Sequence, residues 1–408
     1  MTGSAFFHTQ HLLGIGHFRR SLRIVDALAR EGIRVTLVSG GEPVPALGCI
    51  SAERLIQLPP VKASDAEFKV LVDGVGRPID DALRTARRSE LLGAFAGEQP
   101  RALLIEAFPF GRRAFRFELQ PLIDAARARR PRPLILCSLR DIVVAPSDSR
   151  RCLEIVDRVR TDFDFVLVHG DPAFIPLGDS FPLASEISDR LIYTGYVAGT
   201  VGTVGATHSD ETADGNEVVV SAGGGAVGGA LLRTAIETRR RGCLANLGWR
   251  LLAGPNLPQA EFAALANRLP EGTVLERYRP DFLQMLRRCR VSVSQAGYNT
   301  VLDILAARAA AVVVPFASGR ETEQSLRAER LAARGVLELV REDQLSPERL
   351  AAAIERAIFA RPPTIAIDTG GAERSAALIG EMIRSPDREF GVARDYRYDH
   401  SVTGLLPG

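Results

Sequence analysis

The sequence predicts an α/β fold built as two domains with parallel sheets, and three observations lead there. Short β-branched runs alternate with Ala-, Leu- and Arg-rich helical stretches almost from end to end, the pattern of parallel strands joined by crossover helices. Each half opens with a strand, a glycine-rich turn and a helix. Between the halves, residues 199–215 read GTVGTVGATHSDETADG, with no apolar side chain larger than valine; such a stretch cannot build a core and marks a linker or mobile loop. At 408 residues the chain has length for two or three domains. The expected division is an N-terminal domain over 1–198, a linker over 199–216, a second domain over 217–368, and a helix and tail over 369–408 that packs back on the first domain.

Strands are expected in the first half at 4–9, 35–38, 102–105, 134–138 and 165–169, each a compact run dominated by Val, Ile, Leu or Phe. In the second half they fall at 218–221, 250–253, 291–294 and 311–315. Helical periodicity follows at 347–359 and 373–384. Residues 387–408 hold three aromatics and mixed charge without a strong period, a tail whose order depends on docking.

Composition excludes several function classes. Lys plus Arg number 51 and Asp plus Glu 49, a net charge of +2, so there is no global electrostatic case for nucleic-acid binding. The five cysteines are scattered and never in CxxC spacing, which reads as reduced and cytoplasmic, with neither a disulfide framework nor a thiolate zinc site. Arg19 and Arg20 follow the first apolar stretch rather than precede it, so no cleavable leader is expected. The apolar run over 218–232 is too short and glycine-broken for a membrane span, leaving at most a peripheral membrane contact.

The first glycine-rich turn is HLLGIGHFRR, with Gly14 and Gly16 between a strand and a helix. Glycines let backbone approach a ligand, and a helix N-terminus offers free N–H groups to an anion. A third glycine and an acidic end to the second strand are missing, which disfavours a dinucleotide site. His17 follows directly, an imidazole able to remove a proton near neutral pH at a cleft mouth, or simply to line the helix start. The second turn, VVVSAGGGAVGG, sets Gly223, Gly224 and Gly225 after a strand and Gly228 and Gly229 at the helix start. Five glycines in seven positions are entropically costly, and a diphosphate cradled by backbone amides would offset that cost better than close packing alone. Without Lys or GK[ST] the turn is not a nucleotide-hydrolysing P-loop.

Downstream, VSVSQAGYNTVLDILAARAAAVVVPFASGRETEQSLRAERL contains two more strand-to-helix turns. Ser294, Gln295, Ala296 and Gly297 close the first strand, Asn299 and Thr300 open its helix, and Glu323 and Gln324 lead the next. In parallel sheets ligands bind beyond the carboxyl ends of strands, so these turns and the glycine turn should share a crevice. Small residues there allow approach to phosphate, Thr300 can donate to it, and Asp303 or Glu323 can accept from sugar hydroxyls. Taken alone, Asp303 reads as an ordinary solvated helix carboxylate.

The run SQAGYNTVLDILAA…VVVPF…ETEQSLRAERL resembles the donor-domain signature of family 28 glycosyltransferases, and GIGHFRR is similar to that family's glycine loop ending in histidine. The resemblance implies a GT-B architecture: two Rossmann-like domains facing across a cleft, acceptor on the first and sugar nucleotide on the second, with no essential metal. It implies that Asp303 holds the ribose, that residues 294–300 line the nucleotide, that Glu323 and Gln324 read the donor sugar, that Tyr278 lies in a uracil-facing loop, and that His17 is the base. Gln295 stands where the family usually has Arg and Glu323 where it has Gln, which leaves the donor sugar open.

Three features of the first half remain. Glu106, at a strand end, is placed to orient His17, to bind an acceptor hydroxyl, or to pair with Arg112 or Arg113. The run AFPFGRRAFRF interleaves phenylalanine and arginine, read as core-facing rings beside solvated guanidiniums rather than as a lipid contact. Arg140-Asp141 and His169-Gly170-Asp171 follow strands toward the same cleft, whereas Asp162-Phe163-Asp164, the one DxD, is read as a solvated strand entry. The function expected is inverting, metal-independent transfer from a UDP-sugar, with N-acetylglucosamine one candidate sugar, to a small-molecule or lipid-linked hydroxyl acceptor, with no further cofactor. A sugar-nucleotide 2-epimerase and a non-catalytic nucleotide-sugar-binding protein are the alternatives.

Overall fold

A computed structural model of the chain describes residues 3–12, 16–44, 50–64, 70–144, 148–198, 216–223, 228–254, 257–277, 279, 281–317, 323–360 and 367–385. The first half runs β1 (Ser4–Thr9), α1 (Gly16–Arg30), β2 (Arg34–Ser39), β3 (Arg54–Gln57), β4 (Val61–Ala63), β5 (Leu71–Asp73), α2 (Asp81–Glu98), β6 (Ala102–Glu106), α3 (Arg116–Ala128), β7 (Leu134–Arg140), α4 (Ser149–Asp162), β8 (Phe165–His169) and β9 (Leu191–Tyr193). The second runs β10 (Glu217–Ser221), α5 (Gly229–Arg240), β11 (Gly248–Leu252), α6 (Gln259–Ala266), β12 (Thr273–Glu276), α7 (Phe282–Arg288), β13 (Val291–Ser294), α8 (Tyr298–Ala307), β14 (Ala311–Val313), α9 (Glu323–Ala332), β15 (Glu338–Leu339), α10 (Pro347–Phe359) and α11 (Gly371–Arg384).

Two parallel sheets result, one ordered β3-β2-β1-β6-β7-β8-β9 and the other β12-β11-β10-β13-β14-β15, with β4 and β5 a separate antiparallel hairpin. The strands expected from composition are the interior ones. Buried on both faces, they require continuous apolar runs, and Val218–Val220 and Leu103–Ile105 are fully buried. The four unforeseen parallel strands, β3, β9, β12 and β15, are the sheet edges. An edge strand has one neighbour and a half-open face, so its sequence need not be apolar throughout; Arg54 and Leu55 of β3 are exposed. Among the expected elements, β14 stops at Val313 rather than at 315, and α11 starts at Gly371.

Each face of the first sheet is sealed by its own core. Phe6, Leu103, Ile105, Ile135 and Val166 pack with Leu91 and Phe95 of α2 and with Leu119 and Leu122 of α3. Phe7, Leu104 and Leu136, one residue out of step, pack with Ile24 and Leu28 of α1 and with Ala376, Ile379 and Met382 of α11. The last helix thus lies on the first sheet. The chain returns to it beside its point of exit, where the Tyr196 N–H donates to the Asp368 carbonyl at 2.7 Å and the Gly371 N–H to the Tyr196 carbonyl at 3.0 Å. A fourth apolar cluster joins the halves: Ile142, Phe174, Ile175 and Tyr196 interlock with Tyr298, Val301, Leu302 and Ala328. Full burial of an isoleucine, valine or leucine in this cluster is worth roughly 1.5–3 kcal/mol relative to leaving it exposed.

Asp162 and Asp164 do not form a solvated strand entry. Asp162, 5% exposed, ends α4 in contact with Arg127 at 3.0 Å and Arg158 at 3.5 Å, and Asp164 accepts from the Ile135 N–H at 2.7 Å and pairs with Arg132. Arg127 and Arg132, on neighbouring segments and invisible to a local reading, help draw the two carboxylates inward.

Candidate functional site

The alternation of β6 builds one wall of the site. Ala102 and Leu104 face α1, so Glu106, two residues on, points the same way at the strand's carboxyl end. Helix α1 turns Phe18, Ile24, Val25 and Leu28 to the sheet, which carries His17 and Arg20, three residues apart, onto the same edge. His17 Nδ1 lies 2.5 Å from Glu106 Oε1, and Arg20 donates to that oxygen at 2.6 Å. Arg112 approaches the other oxygen at 3.4 Å.

Burial alone would raise the Glu106 carboxyl, but His17, Arg112 and Arg20 outweigh it and hold the group far below the usual carboxylate range. For His17 burial is the largest influence and lowers the imidazole; Glu106 pulls upward, Arg112 and Arg20 downward, and the balance falls at about 4. The ring is therefore neutral at pH 7. An ionised Glu106 can only accept, which assigns the proton to Nδ1 and leaves the Nε2 lone pair on a side chain 23% exposed.

The second wall is made of turns. Gly297 precedes α8 after β13, and Gln324 Oε1 accepts from both the Ala296 and Phe316 N–H groups at 3.1 Å, pinning the turns after β13 and β14 together. Gly223, with φ +70°, faces Gln295, so the turns after β10 and β13 adjoin. A side chain at Gly228 would strike Ala222 and one at Gly229 would strike Glu261, so packing accounts for those two glycines. Gly224, Gly225 and Tyr278 lie outside the described residues.

The two walls meet. A Cβ on Gly16 would sit 3.1 Å from Asn299 Nδ2, and Arg23 donates to Asn299 Oδ1 at 3.3 Å and to the Val197 carbonyl at 3.1 Å. The Tyr298 hydroxyl accepts from the Val197 N–H and donates to the His169 carbonyl, both at 3.1 Å, and its ring lies 5.5 Å from the guanidiniums of both Arg20 and Arg327. Arg327, 1% exposed, pairs with Asp141 at 2.9 Å and Glu323 at 2.8 Å and donates to the Ala296 carbonyl; Arg140 closes the group on Glu323.

The structure thus gathers His17, Glu106 and Gly16 beside Gly297, Asn299, Glu323 and Gln324. Ser294, Gln295 and Ala296 are buried behind that surface, and the Ser294 hydroxyl has no partner among the described residues. Thr300 and Asp303 are half-buried on α8. Burial raises the Asp303 carboxyl to about 6 against the opposing pull of Arg23 and Arg19, so the solvated-carboxylate reading does not hold. His169 does not reach the cleft: it is sealed between Ser138 at 2.8 Å and Thr194 at 2.9 Å, and burial drives its ring down to about 3. Phe108, Phe110 and Phe115 are core, but Arg112 is turned inward to Glu106 rather than solvated. Sequence reasoning missed Arg20 and Arg327, and it took Tyr298 only as part of the 294–300 nucleotide run, whereas its hydroxyl bonds Val197 and His169. Only Arg20, one helical turn after His17, carried a local signal.

No helix of the described residues is long and apolar enough to cross a membrane, and these residues hold no group of three or more His, Cys, Asp or Glu able to bind a metal ion. Residues 223–367 match the model of the glycosyltransferase family 28 C-terminal domain. An uncharacterized glycosyltransferase of Methanopyrus kandleri is 31% identical over 168 residues, 41% of this chain and 45% of that protein. The UDP-N-acetylglucosamine--N-acetylmuramyl-(pentapeptide) pyrophosphoryl-undecaprenol N-acetylglucosamine transferase of Rhizobium johnstonii is 28% identical over 123 residues, 29% of this chain and 33% of that protein. The match thus spans less than half the length of either relative. Among solved structures, the calicheamicin glycosyltransferase CalG4 superposes with a TM-score of 0.57 at 18% identity, covering 94% of this chain and 95% of its own. MurG of Acinetobacter baumannii gives 0.54 at 14% identity, covering 93% and 100%. The chain therefore has the GT-B fold, and residues 223–367 of its second half are similar to the glycosyltransferase family 28 C-terminal domain.

Proposed function

We propose that the chain is a glycosyltransferase that moves a sugar from a UDP-sugar to a hydroxyl acceptor with inversion and without a metal. The observation that carries this reading is the neutral His17 imidazole, oriented by a 2.5 Å contact to Glu106 and set against the α8 turn of the family 28 domain. Nε2 takes the proton from the acceptor hydroxyl while its oxygen attacks the anomeric carbon. The bond from that carbon to the diphosphate breaks on the opposite face, so configuration inverts. Glu106 positions the ring and balances the imidazolium as it forms. Charge gathering on the departing diphosphate meets the amides of the Gly223 and Gly297 turns and the N-terminus of α8. The half-buried Asp303, on the same helix, suits the ribose hydroxyls.

The test is UDP release from a panel of UDP-sugars with a pool of hydroxyl acceptors, the anomeric proton of the product being read by NMR. We expect the opposite anomer from that of the donor, undiminished by EDTA. His17→Ala should lower kcat by about 10²–10⁴-fold with UDP affinity little changed. The acid limb of kcat/KM should lie near pH 4, since the base is lost as pH falls through the His17 value. A retained configuration, a requirement for added metal, or an unaffected H17A rate would each sink the reading.

A further inference from the structure

We infer that Arg112, with Arg140 beside it, forms an oxyanion subsite on the acceptor side of the cleft: the molecule that presents its hydroxyl to His17 carries a phosphate or carboxylate. The inference rests on the glycosyl-transfer reading and concerns the substrate that reading leaves undefined.

Among the described residues, four guanidiniums at the cleft, Arg20, Arg112, Arg140 and Arg327, share three carboxylates, Glu106, Asp141 and Glu323. The sharing is uneven. Arg20 holds Glu106 at 2.6 Å, Arg327 takes Asp141 and Glu323 at 2.9 and 2.8 Å, and Arg140 closes on Glu323. Arg112 is left with one long contact of 3.4 Å to a carboxylate that His17 and Arg20 already occupy. Its side chain is only 12% exposed, and its Nε is buried with no hydrogen-bond partner among the described residues. Burial, the largest influence, lowers its pKa, and the neighbouring Arg140 and Arg20 do so too, against the upward pull of Glu106.

The backbone shows how the residue comes to be there. Arg112 sits in the left-handed region with φ 59°, as does Ala107 with φ 63°, and the Gly111 N–H closes the loop on the Ala107 carbonyl at 2.7 Å. Phe108, Phe110 and Phe115 anchor that loop in the core. An arginine held inward under strain, with a planar donor fork incompletely used, suits two-point recognition of a compact oxyanion. Arg112 touches Glu106 on the oxygen away from His17, so an anion there lies next to the base without blocking its Nε2.

The same oxyanion chemistry could come from the donor's own diphosphate, and the experiment separates the two. Inorganic phosphate is titrated calorimetrically into the full chain, alone and presaturated with UDP. We expect saturable phosphate binding that survives UDP saturation. It should weaken about tenfold or more in Arg112→Gln and change less than about twofold in Arg113→Gln, whose side chain is exposed. Arg112→Lys, which keeps the charge but lacks the fork, should bind more weakly than the parent yet more tightly than Arg112→Gln, and Glu106→Gln, which removes the competing carboxylate, should bind more tightly than the parent. A gain in one variant beside a loss in another cannot come from misfolding. No phosphate binding, an equal loss in both arginine variants, or displacement of phosphate by UDP would overturn the inference. UDP's own heat reports separately on the donor reading; if UDP fails to bind, the comparison among the variants still decides the subsite.

Discussion

The two walls of the cleft come from the same structural device, a turn after a parallel strand, and use it in opposite ways. On the first sheet the strand ends carry ionisable side chains: Glu106 and Asp141, each 1% exposed or less. On the second they carry Ser221, Gly223, Ser294, Ala296 and Gly297, whose side chains are small or absent. Moving a proton needs a side chain whose acidity its neighbours can set, whereas gripping a diphosphate needs backbone that comes close. One wall is therefore made rigid by charge pairing and the other accessible by omission.

The largest break in that comparison is expected at the charged seam. Asp141→Asn leaves the buried Arg327 guanidinium short of a partner across the two halves, and urea unfolding should show a loss of about 3 kcal/mol. A loss below about 1 kcal/mol would mean that the apolar cluster around Tyr298 alone holds the halves together. The opposite wall should respond in binding rather than stability. Gly297 has φ −64° and open space where a Cβ would stand, so Gly297→Ala should leave the melting temperature unchanged while UDP binds about tenfold more weakly by calorimetry. Unaltered UDP affinity would remove this turn from the donor site.

The smallest effect sharpens the contrast at Asp303, an ionisable group on the helix that follows the Gly297 turn. Its folded value of about 6 lies above the ordinary 3.8, so the folded chain binds the proton more tightly. Stability is therefore lost as pH rises between the two values, and the full cost is borne above the upper one. Asp303→Asn should raise stability at pH 7.5 by about 1 kcal/mol once solvent screening is allowed for, read as a higher melting temperature, and leave it unchanged near pH 3.5. A rise at both pH values would show that the gain has nothing to do with charge.

Legibility in the sequence followed how local each cause was. Interior strands announce themselves because both faces are buried; β3, β9, β12 and β15 stayed hidden because sheet edges impose no such demand. Within the site, His17 beside a glycine turn and Glu106 at a strand end could be found, since position relative to an element was enough. Their meeting depends on the register that sets Glu106 opposite Ser138 under α1. Asp141 could be placed at a strand end, but its pairing with Arg327, 186 residues away, left no local trace, and neither did the two bonds by which the Tyr298 hydroxyl joins the other half. Asp162 was misread for the same reason: its partner Arg127 is 35 residues away.

The crossing at Tyr196 and Asp368 has a mechanical consequence. Because the polypeptide leaves the first sheet and returns to it through two hydrogen-bonded segments side by side, the second sheet hangs from a doubled strap rather than from a single thread. The same two halves are also fastened by the Tyr298 cluster and the Asp141–Arg327 pair, so parting His17 from the α8 turn would require those buried contacts to break as well.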